Sequence, residues 1–247
     1  MNNKYLLKLW LPAVLIWLVL LFIIFNSAKE NDLQTTLLPF VVVVIGFILL
    51  KVFIGNRIKQ HFKKPSAESV LNFYDKTFKS ARIPESEFFK AQAKSIALSL
   101  YGEFDEGILV IDQFDMTQKA PLYQAAQMIA IVINNYLQKT NLPEALELAK
   151  KAKELAKISK IAPGNKTSEK TYITYVEIGE ILNNNLNNEI IKHLEQGFLN
   201  STFILKIQIA WALGIIYTKT NNLTKKQEML DFLAKNAPHC KPLFNFA

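Results

Sequence analysis

Residues that form covalent links or bind metals are scarce in this sequence. Its 247 residues include one cysteine, Cys240, and three histidines. A single cysteine cannot form a disulfide within the chain, which favours a soluble part in the reducing cytosol. His239 directly precedes Cys240, but two adjacent ligands cannot surround a tetrahedral zinc ion, and no CxxC or HxxxH spacing completes the set. We therefore expect no metal site, and interpret these two residues as part of a capping segment.

Motifs for catalysis and phosphate binding are also missing. The chain has no GxxxxGKS/T or GxGxxG stretch for a phosphate-binding loop, and no GxSxG or HExxH stretch for hydrolysis. The acidic residues are spread over helical segments, and no carboxylate pair stands out. These absences predict a protein that is not an enzyme and that uses no cofactor or small-molecule substrate. An activity lost on changing His239 or Cys240 would contradict this prediction.

Glycine and proline are few, with eight and nine residues, and most prolines stand at apparent helix starts or ends. No stretch shows the two-residue alternation of apolar and polar side chains that is typical of a half-buried strand. This combination predicts an all-α fold.

Two long apolar runs occupy the N-terminal part of the chain, and a short polar loop separates them. Each run is long enough, at about 1.5 Å per residue, to cross a bilayer core of roughly 30 Å. We predict a transmembrane helical hairpin in residues 1–56, with spans at about 6–25 and 37–54. Apart from Lys8 and Lys51, both near span ends, the spans hold no ionisable residue, which indicates an anchor rather than a transport path.

The charges that flank the apolar runs set the expected orientation. The chain is basic, with a net charge of +8, and basic residues lie before the first run and after the second. The positive-inside rule then predicts both termini in the cytoplasm and a multi-pass protein of a bacterial inner membrane. The cluster can contact anionic lipid headgroups, or it can act only as the topology signal. The residues expected to contact lipid are Lys51, Arg57, Lys59, Lys63 and Lys64.

Residues 57–84 are interpreted as this basic juxtamembrane segment and a linker helix that begins near Pro65. Beyond it, the clearest pattern lies in residues 125–158, where apolar residues recur at helical spacing on both sides of a short turn. Asn141 stands where a helix N-cap is expected, and Glu144 follows three residues later, as in a capping box. We therefore predict two antiparallel helices joined by a tight turn.

This helix pair resembles a tetratricopeptide (TPR) repeat. Tyr136, Ala145 and Ala152 fall at the Tyr and Ala positions of that family. A second partial match, Leu213-Gly214-x-x-Tyr217, lies nearer the C-terminus and is followed by Pro238 at the position of the closing proline. The resemblance implies an α-solenoid of TPR-like helix pairs in residues 85–247. With the predicted hairpin, the layout is similar to that of HemY-type proteins. A generic α-solenoid or helical bundle is the alternative.

The TPR resemblance implies a concave surface, lined by first-helix residues, that binds a segment of a protein partner. Trp211 is the strongest candidate for a binding anchor, although core packing explains it equally well. The residues expected on this surface are Gln127, Asn134, Gln138, Glu180, Asn183, Gln208, Trp211 and Lys219.

A stripe of lysines follows one face of the second helix of the central pair. Its members are Lys150, Lys153, Lys157 and Lys160. Glutamates are interleaved with them, which favours a solvated helix face over a binding site. No aromatic RNA-binding motif or recognition helix accompanies the stripe, so we expect no nucleic-acid partner.

Together these features predict a membrane-anchored adaptor that binds a protein partner at the cytoplasmic face of the inner membrane. The alternative is a structural subunit of a multi-protein membrane complex for secretion, division or envelope assembly, with its main contacts through the hairpin. The two predictions differ in whether the part from about residue 65 keeps the partners on its own.

Overall fold

The computed structural model describes residue 46 and residues 57–79, 85–159 and 165–246. In these stretches the regular elements are helices and no strand is present, which confirms the all-α prediction. Except for Gly46, the predicted hairpin spans lie outside the described residues. A search of the described helices finds none that combines the length and apolar character needed to cross a bilayer.

The chain divides into two compact units, Met1–Arg57 and Ile58–Ala247. The larger unit contains the helices that are named here in chain order. They are α1 (Glu68–Lys79), α2 (Ser86–Tyr101), α3 (Phe104–Asp112), α4 (Pro121–Gln138), α5 (Leu142–Ile158), α6 (Asn165–Leu182), α7 (Asn188–Asn200), α8 (Phe203–Lys219) and α9 (Leu223–Asn236), followed by a 3-10 turn at Lys241–Phe244.

The helices α2 to α9 stack as four consecutive pairs. The first helices of the pairs, α2, α4, α6 and α8, contact one another in that order. Each second helix packs on its own first helix, and α3, α5 and α7 also pack on the first helix of the next pair. Contacts that repeat only between neighbouring pairs are the pattern of a helical solenoid, so the described residues have a solenoid-like fold.

The central pair shows how the sequence sets the helix ends. Proline at the start of α4 has the fixed φ that suits a first helical residue. At the other end Lys139 adopts a left-handed φ of 59°, and its N–H is directed at the carbonyls of Asn135 and Tyr136. The helix α5 then begins as predicted. Asn141 is its N-cap, as predicted, but the residue has a left-handed φ of 48° and its side chain makes no capping hydrogen bond, so the expected capping box does not form.

The helix α8 lies at the centre of the larger unit. Its side chains are buried almost continuously from Leu205 to Tyr217, and a helix that is apolar on all sides requires partners on all sides. Phe62, which precedes the paired helices, also reaches this helix, because the rings of Phe62 and Phe203 lie 5.6 Å apart. A residue before the first pair therefore contacts the first helix of the last pair.

Candidate functional site

Three residues of the predicted concave surface are buried inside the larger unit. The exposed fractions are 1% for Asn134, 2% for Gln208 and 1% for Trp211. The expectation that these side chains face an open groove is therefore corrected. The physical reason differs between them: Asn134 is hydrogen-bonded to α2 and α3, whereas Gln208 and Trp211 lie in α8, which neighbouring helices and the C-terminal segment cover.

The C-terminal segment occupies the space where the groove was expected. We call residues 240–246 the tail. The indole Nε1 of Trp211 donates to the carbonyl oxygen of Asn245 at 3.0 Å, and Lys139 Nζ donates to the same oxygen at 3.2 Å. The ring of Phe246 lies so close to Gly214 that a Cβ at this position would overlap it. Trp211 does therefore bind a segment of protein chain, but the segment is the chain's own tail.

The tail is anchored along its length. It contacts α2, α4, α8 and α9. Cys240 and Leu243 are fully buried, and burial raises the pKa of the Cys240 thiol to about 12. Next to them, the ring of Pro242 lies 3.5 Å from the Cβ position of Gly102, where φ is +89°. The sequence predicted a capping segment after the last helix but not its burial in the core. The mostly apolar stretch PLFNF after α9 was a signal for that burial.

Two of the predicted polar residues have structural roles between α3 and α4. Asn134 Nδ2 donates to Ser99 Oγ at 3.0 Å and to the carbonyl oxygen of Phe104 at 2.8 Å. Gln127 is half-buried, and its amide donates to the carbonyl oxygens of Ile111 and Phe114 at the end of α3. Buried polar groups need such partners, which explains polar residues on these inward faces.

The other four predicted residues gather at one end of the first helices. Gln138, Glu180, Asn183 and Lys219 lie at or near the C-terminal ends of α4, α6 and α8, which are adjacent in the layer. Gln138 and Lys219 are exposed, and the other two are partly exposed. We call these four residues the polar edge. Sequence reasoning placed them on one surface, and the structure brings them to neighbouring helix ends.

Hydrogen bonds link the helix ends of the polar edge. Lys219 Nζ donates to the carbonyl oxygen of Ile181 at 3.1 Å and to Asn184 Oδ1 at 2.8 Å. Asn183 Nδ2 donates to the carbonyl oxygen of Leu142 at 3.2 Å. Helix C-termini carry partial negative charge and carbonyls without helical partners. Lys219 satisfies such a carbonyl at the end of α6, and Asn183 links the end of α6 to the start of α5, so hydrogen bonds hold these helix ends together.

Four of the residues predicted to contact lipid are described. Arg57, Lys63 and Lys64 are exposed, and Lys59 is partly buried. Burial, and then the nearby charges of other lysines, lower the pKa of Lys59. Lys51 lies outside the described residues.

Two lysines of the stripe on α5, Lys150 and Lys153, lie close to glutamates. Lys150 Nζ lies 2.9 Å from Glu147 Oε1 and 3.4 Å from Glu180 Oε1. Lys153 Nζ lies 3.5 Å from Glu154 Oε1. Lys160 lies outside the described residues. Ion pairs of this kind are typical of a solvated helix face.

Comparison with protein-family models, curated proteins and solved structures finds no match to this chain. Among the described residues, no three His, Cys, Asp or Glu side chains come together as a possible metal site. The most distinct surface feature that carries residues predicted for partner binding is the polar edge.

Proposed function

We propose that this chain is a membrane-anchored helical adaptor that binds a protein partner on the polar edge, at the cytoplasmic face of a bacterial inner membrane. The observation that carries the proposal is the gathering of Gln138, Glu180, Asn183 and Lys219 at the ends of three adjacent first helices. These side chains offer hydrogen-bond donors and acceptors and one charge of each sign, which suits a polar segment of a partner. Groups that are already held in place lose little entropy on binding.

The anchoring part of the proposal rests on the sequence. Two long apolar runs precede the larger unit, and basic residues follow the second run. The TPR-like character of the helix pairs is likewise proposed from the residue pattern around Tyr136 and Leu213-Gly214, together with the solenoid-like stacking.

Site-specific photo-crosslinking in native membranes tests the edge. A photoreactive amino acid replaces Gln138 in one variant and Lys219 in another. The control variant carries it at Asp112, which is also exposed at a helix C-terminus, that of α3. We expect both edge positions to yield an adduct with the same protein, and the control position to yield none. Equal adducts at all three positions, or none at the edge, would contradict the proposal.

A second candidate function is the structural subunit of a membrane complex. The burial of Asn134, Gln208 and Trp211 favours it, because the filled interior removes the groove that a TPR-type adaptor would use. In that case the main contacts lie in the hairpin. A crosslinker in the predicted spans would then capture the partner in the full chain, while Gln138 would capture nothing.

A further inference from the structure

Lysines from distant parts of the sequence come together on the larger unit. Lys59 and Lys63 lie at its N-terminal end, Lys206 lies near the start of α8, and Lys235 lies in the last turn of α9. Besides burial, the charges that lower the pKa of Lys59 are those of Lys63, Lys235 and Lys206. Such an effect requires that these three ammonium groups lie near that of Lys59.

Aromatic contacts hold the elements that carry these lysines in place. The rings of Phe62 and Phe203 lie 5.6 Å apart, and those of Phe198 and Phe232 lie 4.9 Å apart. Three of the lysines stand one helical turn from one of these rings, since they are separated from Phe62, Phe203 and Phe232 by three residues each. The packed rings thus fix the arrangement of the charges.

An exposed leucine adjoins the lysines. Leu199 is directed into solvent, with 71% of its surface exposed. Lys206 Nζ donates to the carbonyl oxygen of Leu199 at 3.1 Å and lies 5.6 Å from the ring centre of Phe198. The charged group of Lys206 therefore lies at the backbone of the residue that carries this exposed side chain.

We propose that these groups form one surface that binds the phosphate groups of an anionic lipid bilayer. Its members, which we call the lysine surface, are Lys59, Lys63, Lys206, Lys235 and Leu199. Lysines near a bilayer are attracted by its negative surface potential, and an exposed apolar side chain among them can enter the headgroup region. The surface extends the predicted lipid contacts of the juxtamembrane segment to α7, α8 and α9.

This inference rests on the proposed membrane anchoring in one respect. In the sequence, the lysine surface begins directly after the second apolar run. If that run anchors the chain, the lysines experience a high effective concentration of lipid headgroups. Charge complementarity favours a bilayer as the occupant, because it offers many phosphates and an apolar phase side by side. A free phosphate would use the same ammonium groups but would not involve Leu199.

A fluorescent probe at Leu199 tests the inference in the full chain. A Leu199→Cys variant carries an environment-sensitive fluorophore, and Cys240 is buried and does not compete for the label. The labelled chain is placed in nanodiscs of phosphatidylcholine alone or with phosphatidylglycerol. The matched control is Leu109→Cys, whose native side chain is 65% exposed on α3.

In discs with phosphatidylglycerol we expect a blue-shifted emission from position 199 that spin-labelled lipid quenches and high salt reverses. No such change is expected at position 109. The double variant Lys206→Gln/Lys235→Gln should lower the ratio of bound to unbound surface about 25-fold, at about five-fold per lysine. The control variant Lys151→Gln/Lys157→Gln removes two exposed lysines of α5 and should leave the ratio unchanged.

Three results would overturn the lysine surface. One is an equal probe signal with and without phosphatidylglycerol. Another is a response to inorganic phosphate at constant ionic strength in phosphatidylcholine discs, which would indicate a discrete phosphate site. The third is a response to single-stranded RNA but not to anionic lipid. A chain that does not insert into discs would instead contradict the anchoring, and the same probe with added vesicles would still test the surface.

Discussion

The helices α5 and α8 have the same length of 17 residues and occupy opposite environments. Only five residues of α5 are buried, and four of them are alanines. The opposite face carries lysines and glutamates in solvent. In α8, by contrast, twelve residues are buried, and Trp211 is the largest of them. Small and apolar residues thus recur in both helices, although one is an outer helix and the other is a central helix.

The difference arises from what surrounds each helix. The alanines of α5 allow close approach to α4 and α6 on one side only. The helix α8 contacts α6, α7, α9 and the tail, and between Ile207 and Tyr217 all of its residues are buried. The repeat pattern therefore indicates a helix pair, but the distribution of polar residues around the helix indicates whether it lies outside or at the centre.

The largest expected effect comes from truncating the central helix. Trp211→Ala removes a fully buried side chain and its hydrogen bond to the tail, and should lower the free energy of unfolding by about 3–5 kcal/mol. The matched change in α5 is Ile158→Ala, at a side chain that is 63% exposed, with an expected effect within about 0.5 kcal/mol. Urea unfolding of the full chain in detergent micelles measures both. Similar losses of unfolding free energy for the two substitutions would contradict the assignment of α8 as central and α5 as outer.

A smaller effect is expected where α8 meets the tail. Gly214→Ala places a methyl group against the ring of Phe246, and such overpacking costs about 1–3 kcal/mol. In a Phe246→Ala background the same change should cost less than in the native chain, because the ring is gone. A double-mutant cycle measures this coupling. Independent effects of the two substitutions would show that the tail does not lie on Gly214.

A pH-dependent effect is expected at a buried carboxyl on α6. Burial raises the pKa of Glu177, while its contact with His193, at 2.8 Å, partly opposes the rise. Because the pKa of Glu177 is higher in the folded chain than in the unfolded chain, its bound proton stabilises the fold at low pH. This contribution to the free energy of unfolding is lost as pH rises through the pKa of the folded chain. Glu177→Gln should therefore gain stability relative to the native chain as pH rises from about 4 to about 7. Urea midpoints across this range would show a constant difference if the carboxyl were solvated.

The smallest effect is expected on the solvated face of α5. Lys150 forms ion pairs with Glu147 and Glu180 near the surface, where solvent and salt screen the interaction. Lys150→Ala should leave the urea midpoint unchanged within error at moderate salt. A clear loss of stability that persists at high salt would mean that this face is covered by another part of the chain.

Much of the helical framework was predictable because its signals are local. Apolar spacing in residues 125–158 predicted the antiparallel pair that α4 and α5 form, and the expected cap gave the start of α5 at its observed position. The left-handed backbone of Asn141 was not predicted, because it depends on the conformation of the whole turn.

The position of the candidate site was less predictable because it depends on contacts between distant residues. Trp211 and Asn245 are 34 positions apart, yet their hydrogen bond turns an expected binding anchor into a core residue. The continuous apolar character of α8 was visible in the sequence and argued against an open groove. The polar edge could be anticipated only as a set of residues, and the lysine surface required the contact of Phe62 with Phe203.

The reactivity of Cys240 tests most directly whether the tail fills the interior. The purified full chain is treated with a maleimide in native nanodiscs and again after denaturation, and labelling is followed by mass spectrometry. Since the thiol is fully buried and burial raises its pKa to about 12, the reactive thiolate is both inaccessible and scarce at neutral pH. We predict no labelling in the native chain and complete labelling after denaturation. Rapid labelling under native conditions would show that the tail leaves the interior and that the predicted groove is open.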